Sequence, residues 1–251
     1  MNPRIVAATA GRVLRQLRHD RRTIALLVVV PGVLLALLHA MFAEQPTPPG
    51  QASTFDRVAL VMLGVFPFTI MFLVTSIAML RERTTGTLER LLTTPLGKLD
   101  LLLGYGLAFG LAATVQAAVA AAVAYGLLGL DTAGSVGLVI VIAVVTALLG
   151  MALGLLCSAF ARTEFQAVQF LPVVAFPQLL LCGLFVAREQ MVGWLQAVSD
   201  ALPLSYAVEA LREVGAHAEP TATMWRDLTV VAGSALLALV LAAATLRRRS
   251  G

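Results

Sequence analysis

A chain of 251 residues and 26.4 kDa has the length of one or two soluble domains, but 59% hydrophobic residues, 13% charged residues and a mean hydropathy of +0.89 exclude an ordinary soluble domain, which would carry about 25% charged residues. The net charge of +4 and pI near 9.7 come from arginines that flank apolar runs. No basic stripe interleaved with aromatic residues is present, so a nucleic-acid partner is excluded, as are a disordered chain and a disulfide-stapled scaffold.

Residues 1–22 come first. Ile5, Val6, Val13, Leu14 and Leu17 share one side of a helix, and Arg4, Arg12, Arg15, Arg18 and Arg22 the other. This predicts a basic amphipathic helix on a membrane surface, with a merely solvated basic tail as the alternative. Six runs without Asp, Glu, Lys or Arg follow, at 23–43, 58–80, 101–130, 135–160, 165–186 and 228–246, together 141 of the 251 residues. About 20 apolar residues cross a hydrocarbon core of about 30 Å, so each run is long enough to cross once. The expected fold is an all-α polytopic membrane protein with six transmembrane helices, the chain 1–251 forming a single transmembrane domain.

The cations orient it. With both ends in the cytoplasm, 14 of the 18 Lys and Arg residues fall on the inner side and four outside, which predicts a multi-pass protein of the cytoplasmic membrane by the positive-inside bias. Between the first two spans, 44–57 contains three prolines and reads as an irregular outer loop. The inner loop 81–100, RERTTGTLERLLTTPLGKLD, places Leu88, Leu91 and Leu92 on one helical face opposite Glu82, Arg83, Glu89 and Arg90. Gly86 and Pro95 bound a short amphipathic helix there, pinned to the headgroups or docked on a partner.

The third and fourth spans carry GxxxG spacings at Gly106 and Gly110 and at Gly150 and Gly154, which suit close helix contact. Gln116 and Gln169 suit interhelical hydrogen bonds or a polar route, and Pro172 and Pro177 a kink or a break in the fifth span. The segment 187–227 is too apolar for a free loop and too short to cross twice. Trp194 and Tyr206 suit interfacial anchors of a pair of short outer helices that dip into the membrane, with a turn at 202–206 and a plain surface-lying helix as the alternative.

Absences narrow the function. The six runs hold no carboxylate, which disfavours an ion-coupled carrier. No HExxH, GxSxG or GxxxxGK[ST] motif occurs, and Cys157 and Cys182 stand too far apart for a CxxC site. No catalytic, metal or cofactor residues are therefore assigned.

Two segments carry a family resemblance. RERTTGTLERLLTTPL (81–96) resembles the cytoplasmic loop of type 2 ATP-binding-cassette (ABC) permeases, and CGLFVAREQMVGWLQAVSDALPLSYAVEALR (182–212) is similar to their segment between the fifth and sixth spans. Val186, Ala187 and Met191-Val192 depart from the family pattern by lacking its usual prolines. The resemblance implies a coupling helix that docks on a separate ATPase, with Glu82, Arg83, Gly86, Thr87, Leu88, Glu89, Arg90 and Pro95 at its motif positions. It also implies outer membrane-dipping helices, with Trp194, Pro203, Leu204, Tyr206 and Arg212 at theirs. The implied partners are a pair of ABC ATPase subunits holding ATP and Mg, a second permease copy or close relative, and membrane lipid. The implied function is export of a hydrophobic or amphiphilic compound by alternating access, of the daunorubicin and multidrug type. A lipid-linked saccharide is the alternative cargo, and an ion-coupled secondary transporter the alternative class. The excess of arginine over lysine fits a GC-rich bacterial genome.

Overall fold

The computed structural model describes residues 3–47, 52–86 and 97–245. Among them there is no strand. Ten α-helices occur in the order α1 (Pro3–His19), α2 (Arg21–Phe42), α3 (Thr54–Thr84), α4 (Lys98–Gly126), α5 (Val136–Cys157), α6 (Glu164–Phe170), α7 (Phe176–Leu181), α8 (Gly193–Ala201), α9 (Pro203–Ala216) and α10 (Ala222–Thr245). Six stretches are long and apolar enough to cross a membrane, namely α2, α3, most of α4, α5, the combined α6–α7 stretch and α10. The chain is an all-α polytopic membrane protein.

The helices begin where side chains can satisfy free backbone N–H groups. Asp20 ends α1 and caps α2, its carboxylate accepting the Arg22 and Thr23 N–H groups at 3.1 and 3.2 Å and the Thr23 hydroxyl at 2.8 Å. Ser53 and Asp56 form a reciprocal capping box at the start of α3. Ser135 caps α5 and Thr163 caps α6. At the far end of α3, Gly86 takes φ +70°, a left-handed conformation that suits glycine beyond a helix end.

α3 is the axis of the fold. Its 31 residues would extend about 46 Å, and it is the most deeply buried of the crossing helices. It pairs most closely with α5, where Gly150 and Gly154 lie directly against the Phe68 and Phe72 carbonyls. A β-carbon at either glycine would fall inside van der Waals distance of those backbone atoms. Thr75 also donates across the contact to the Met151 carbonyl at 3.2 Å. The expected GxxxG contact is therefore real for this pair, and it lies within one chain. Gly106 has nothing near enough to touch a β-carbon, and Gly110 meets only Leu148. The glycine that matters on α4 is Gly104, where Thr9 and the Val6 carbonyl of α1 come close.

α1 is consequently not an isolated surface helix. Val6, Thr9, Ala10 and Val13 are buried, and α1 is seated on α4. The fifth span is broken, as its prolines allow. α6 and α7 are joined by a π-helical turn at Leu171–Ala175, with Pro172 and Pro177 each near the start of a helical piece, where the missing N–H costs least. This span ends at Leu181 rather than at residue 186.

Candidate functional site: a three-helix clasp and a stitched hairpin

At the end of α3 that leads into the loop, three consecutive residues bond three different helices. Arg81 makes a two-pronged ion pair with Glu164 of α6, at 2.7 and 3.1 Å. Glu82 accepts from Arg12 of α1 at 2.8 Å. Arg83 donates to the Thr245 hydroxyl of α10 at 3.3 Å. A helix turns 100° per residue, so consecutive side chains point in well-separated directions and one turn can reach three neighbours.

Arg12 is the surprise in this set. It falls on the polar side of α1 in the sequence pattern, yet it is turned inward, bonding both Glu82 and the Tyr105 hydroxyl, the latter at 2.9 Å. Its guanidinium lies 5.9 Å from the Tyr105 ring centre. Burial works against the charge of Arg12, but Tyr105 and Glu82 outweigh it and raise its pKa. Glu82, grouped by sequence with an exposed docking surface, is instead 8% exposed and spent on this internal pair. The hint in the sequence was Tyr105, a hydroxyl-bearing ring early in a mostly apolar helix. Thr87, Leu88, Glu89, Arg90 and Pro95, the remainder of the expected coupling helix, lie outside the described residues.

The opposite end of the bundle holds the hairpin α8–α9. The expected turn at 202–206 is shorter in the structure, since α9 already begins at Pro203 and only Leu202 is extended. The hairpin is stitched to the end of the fifth span. The Ser199 hydroxyl donates to the Leu181 carbonyl at 2.7 Å, the Ser205 hydroxyl lies 3.1 Å from the Ser199 hydroxyl, and the Leu204 N–H donates to the Gln178 side chain at 3.4 Å. The Tyr206 hydroxyl donates to the Asp200 carbonyl at 2.8 Å. Arg212 donates to the Gly183 carbonyl at 2.6 Å. Gly183 has φ +90°, and the guanidinium lies 3.2 Å from where a β-carbon would stand. Arg188 pairs with Asp200 and lies 5.2 Å from the Tyr206 ring centre. Burial pushes the Glu209 carboxyl up from its ordinary value, and Arg212 opposes that shift. Trp194 and Trp225 remain exposed at this end, at 70% and 51%.

Of the other expected residues, Gln116 is buried at 1% with neither amide atom bonded. Gln169, Pro172 and Pro177 are exposed along one side of the broken span. The absence of carboxylates from the spans needs correction. α10 begins at Ala222, six residues before its charge-free run, so Asp227 lies inside that helix. It is fully buried, bonded to Arg226 at 2.8 Å through one oxygen and without a partner on the other. The run was cut short by this very residue, which sequence counting assigned to the loop. Among the described residues no group of acidic, histidine or cysteine side chains could hold a metal ion.

With this geometry in place, the family model described as ABC-2 type transporter matches residues 4–214. The chain belongs to that family. It is 29% identical over 173 residues to the probable multidrug ABC transporter permease YbhR of Escherichia coli, a match covering 66% of this chain and 47% of the relative. It is 26% identical over 171 residues to ABC transporter G family member 20 of Dictyostelium discoideum, covering 67% of this chain and 23% of that protein. A shorter match, 40% identical over 75 residues, is to the daunorubicin resistance ABC transporter permease protein DrrB1 of Streptomyces coeruleorubidus, covering 30% and 25%. These matches span less than half the length of each relative.

Proposed function

We propose that this ABC-2 permease is the membrane subunit of an exporter of hydrophobic or amphiphilic compounds, driven by a separate pair of ABC ATPases and working beside a second permease subunit. The α1 end of the bundle faces the cytoplasm, where 14 of the 18 cations then lie, and the hairpin faces outward across the cytoplasmic membrane. ATP and Mg bind the partner ATPases, which grip the loop that follows Gly86.

The observation that carries this reading is the clasp of Arg81, Glu82 and Arg83. A displacement of the loop enters α3 at its last turn and is passed at once to α1, α6 and α10. Through α6 and the π turn it reaches α7, and through Ser199, Ser205 and Arg212 it reaches the hairpin. A single lever thus moves the side of the bundle that carries Gln169, Pro172 and Pro177. Alternating access follows if nucleotide-bound and nucleotide-free ATPases hold the loop in two positions.

Relatives named as multidrug and daunorubicin resistance permeases support an amphiphilic cargo. The test is Glu89→Lys, expected to leave membrane insertion intact while ATP hydrolysis by the reconstituted complex no longer drives export. Normal export by that variant refutes a docking role for Glu89.

A further inference from the structure

We infer that the cavity enclosed by α1, α2, α3 and α4 holds one resident phospholipid of the leaflet at the α1 end, bound by its zwitterionic head and an acyl chain. Its volume is about 740 Å³, within the usual range for small-molecule sites. A resident lipid of this kind is separate from any cargo.

The wall turns from polar to apolar in the same direction on each of its crossing helices. On α2 it passes from Arg22 to Leu26, on α3 from Glu82 through Ile77 to Leu73, and on α4 from Tyr105 to Phe109. Glu82 and Tyr105 both bond Arg12, and Arg22 stands in the first turn after α1, so all three polar ends lie beside α1. From Leu73 to Glu82 the wall runs along α3 for about 13 Å at 1.5 Å per residue, roughly half of a hydrocarbon core. An occupant therefore lies as a leaflet lipid does, tail toward the bilayer centre and head at the surface. The lining stops at that depth and offers no path to the other leaflet. The Tyr105 and Phe109 rings, stacked with centres 6.0 Å apart, give the tail a flat wall.

The head follows from the charges of the whole lining. Its cations are Arg22 and Arg81 and its carboxylates Asp20 and Glu82, two of each sign. Arg81 is matched by Glu164 and Glu82 by Arg12, which leaves Arg22 and Asp20, again one of each. A head of a single sign therefore meets as many like charges as opposite ones, whereas a phosphate joined to an ammonium can set each charge beside its opposite. Gln16, exposed on α1 at the same end, adds amide donors for phosphate or ester oxygens. His19 is already tied to the Arg15 carbonyl at 2.8 Å. Because Arg81 and Glu82 belong to the clasp, the lipid sits in the joint between α1 and α3.

The full-length chain is stripped of lipid in dodecyl maltoside and offered dioleoyl phosphatidylcholine, dioleoyl phosphatidylglycerol or dioleoylglycerol singly. Lipid retained per chain is read by native mass spectrometry. Phosphatidylcholine is expected to be held about tenfold more tightly than the anionic and the uncharged lipid, one copy per chain. Ile77→Trp on α3 and Leu26→Trp on α2 fill the tail space from two different walls, and each is expected to lower that retention about tenfold. Leu236→Trp, on the exposed face of α10, is expected to leave it unchanged, which separates the cavity from lipid held loosely around the bundle. Arg22→Gln changes an exposed side chain and is expected to erase the preference for phosphatidylcholine over dioleoylglycerol. Equal retention of the three lipids, or retention in both cavity-filling variants equal to that of the parent, overturns the inference. So does delivery of the bound lipid to the opposite leaflet during ATP turnover by the reconstituted complex, which would make it cargo.

Discussion

Gly154 shows how much one missing methyl group decides. The Phe72 carbonyl and the Thr75 hydroxyl occupy the volume a side chain would fill, and a neighbouring backbone cannot turn aside as a rotamer can. Gly154→Leu is expected to cost about 3 kcal/mol or more and to abolish the monodisperse peak in detergent size-exclusion chromatography. Gly106→Leu, facing open space, is expected to stay within about 0.5 kcal/mol of the parent. Comparable behaviour of the two variants would remove the α3–α5 contact as the seam of the fold. The two GxxxG spacings look alike in sequence. What separates them is which face of each helix meets a neighbour, and that is decided by tertiary packing. The Arg12–Glu82 pair was hidden for the same reason, because 70 residues separate its partners and periodicity reports only nearby ones.

Among the elements, the break between α1 and α2 was also missed, since the amphipathic pattern continues to Arg22 without interruption. Asp20 makes the break by giving its carboxylate to the next helix. Hydrogen bonds from the Thr23 hydroxyl and backbone hold its pKa below the ordinary value, with a smaller backbone contribution from Arg22. A carboxylate with a lowered folded-state pKa stabilises above its unfolded value and loses that effect as pH falls through the folded one. Asp20→Ala is therefore expected to lower Tm in detergent at pH 7, by an amount corresponding to about 1 kcal/mol. The Tm difference between variant and parent is expected to shrink from about pH 5 downward and to vanish well below pH 4. A difference unchanged at pH 3 would assign the effect to packing instead. The crossing helices themselves were legible, because a charge-free run of about 20 residues has few other fates. Their ends were not, since α3, α4 and α10 all extend through charged residues that counting treats as loop.

Across the whole molecule, two large exposed apolar surfaces differ in kind. α10 presents Leu236, Leu237, Val240 and Leu241, an aliphatic surface suited to lipid. The fifth span presents Val173, Phe176 and Leu180 beside exposed Gln169 and a π turn. Irregular backbone and amide groups are poorly tolerated against lipid tails, so this second face calls for protein or a polar route. In the proposed assembly it turns toward the second permease. With Cys157 and Cys182 replaced by Ala, Val173→Cys is expected to cross-link to the partner permease with a short bis-maleimide in membranes, and Leu236→Cys is not. Cross-linking at Leu236 in preference to Val173 would reverse the arrangement. Gln169, Pro172 and Pro177 marked the fifth span as the irregular one in the sequence, but not which of its faces would stand exposed, because that depends on tertiary packing.

The chain's two tryptophans, Trp194 and Trp225, both stand exposed at the hairpin end. Tryptophan emission from this chain, excited selectively over tyrosine, is therefore a built-in optical probe of that end alone. Brominated phospholipids quenching at graded depths would gauge how far the hairpin sinks into the leaflet. The same signal, followed in time after nucleotide is added to the reconstituted complex, would clock the arrival of motion at the far side of the bilayer without any attached dye.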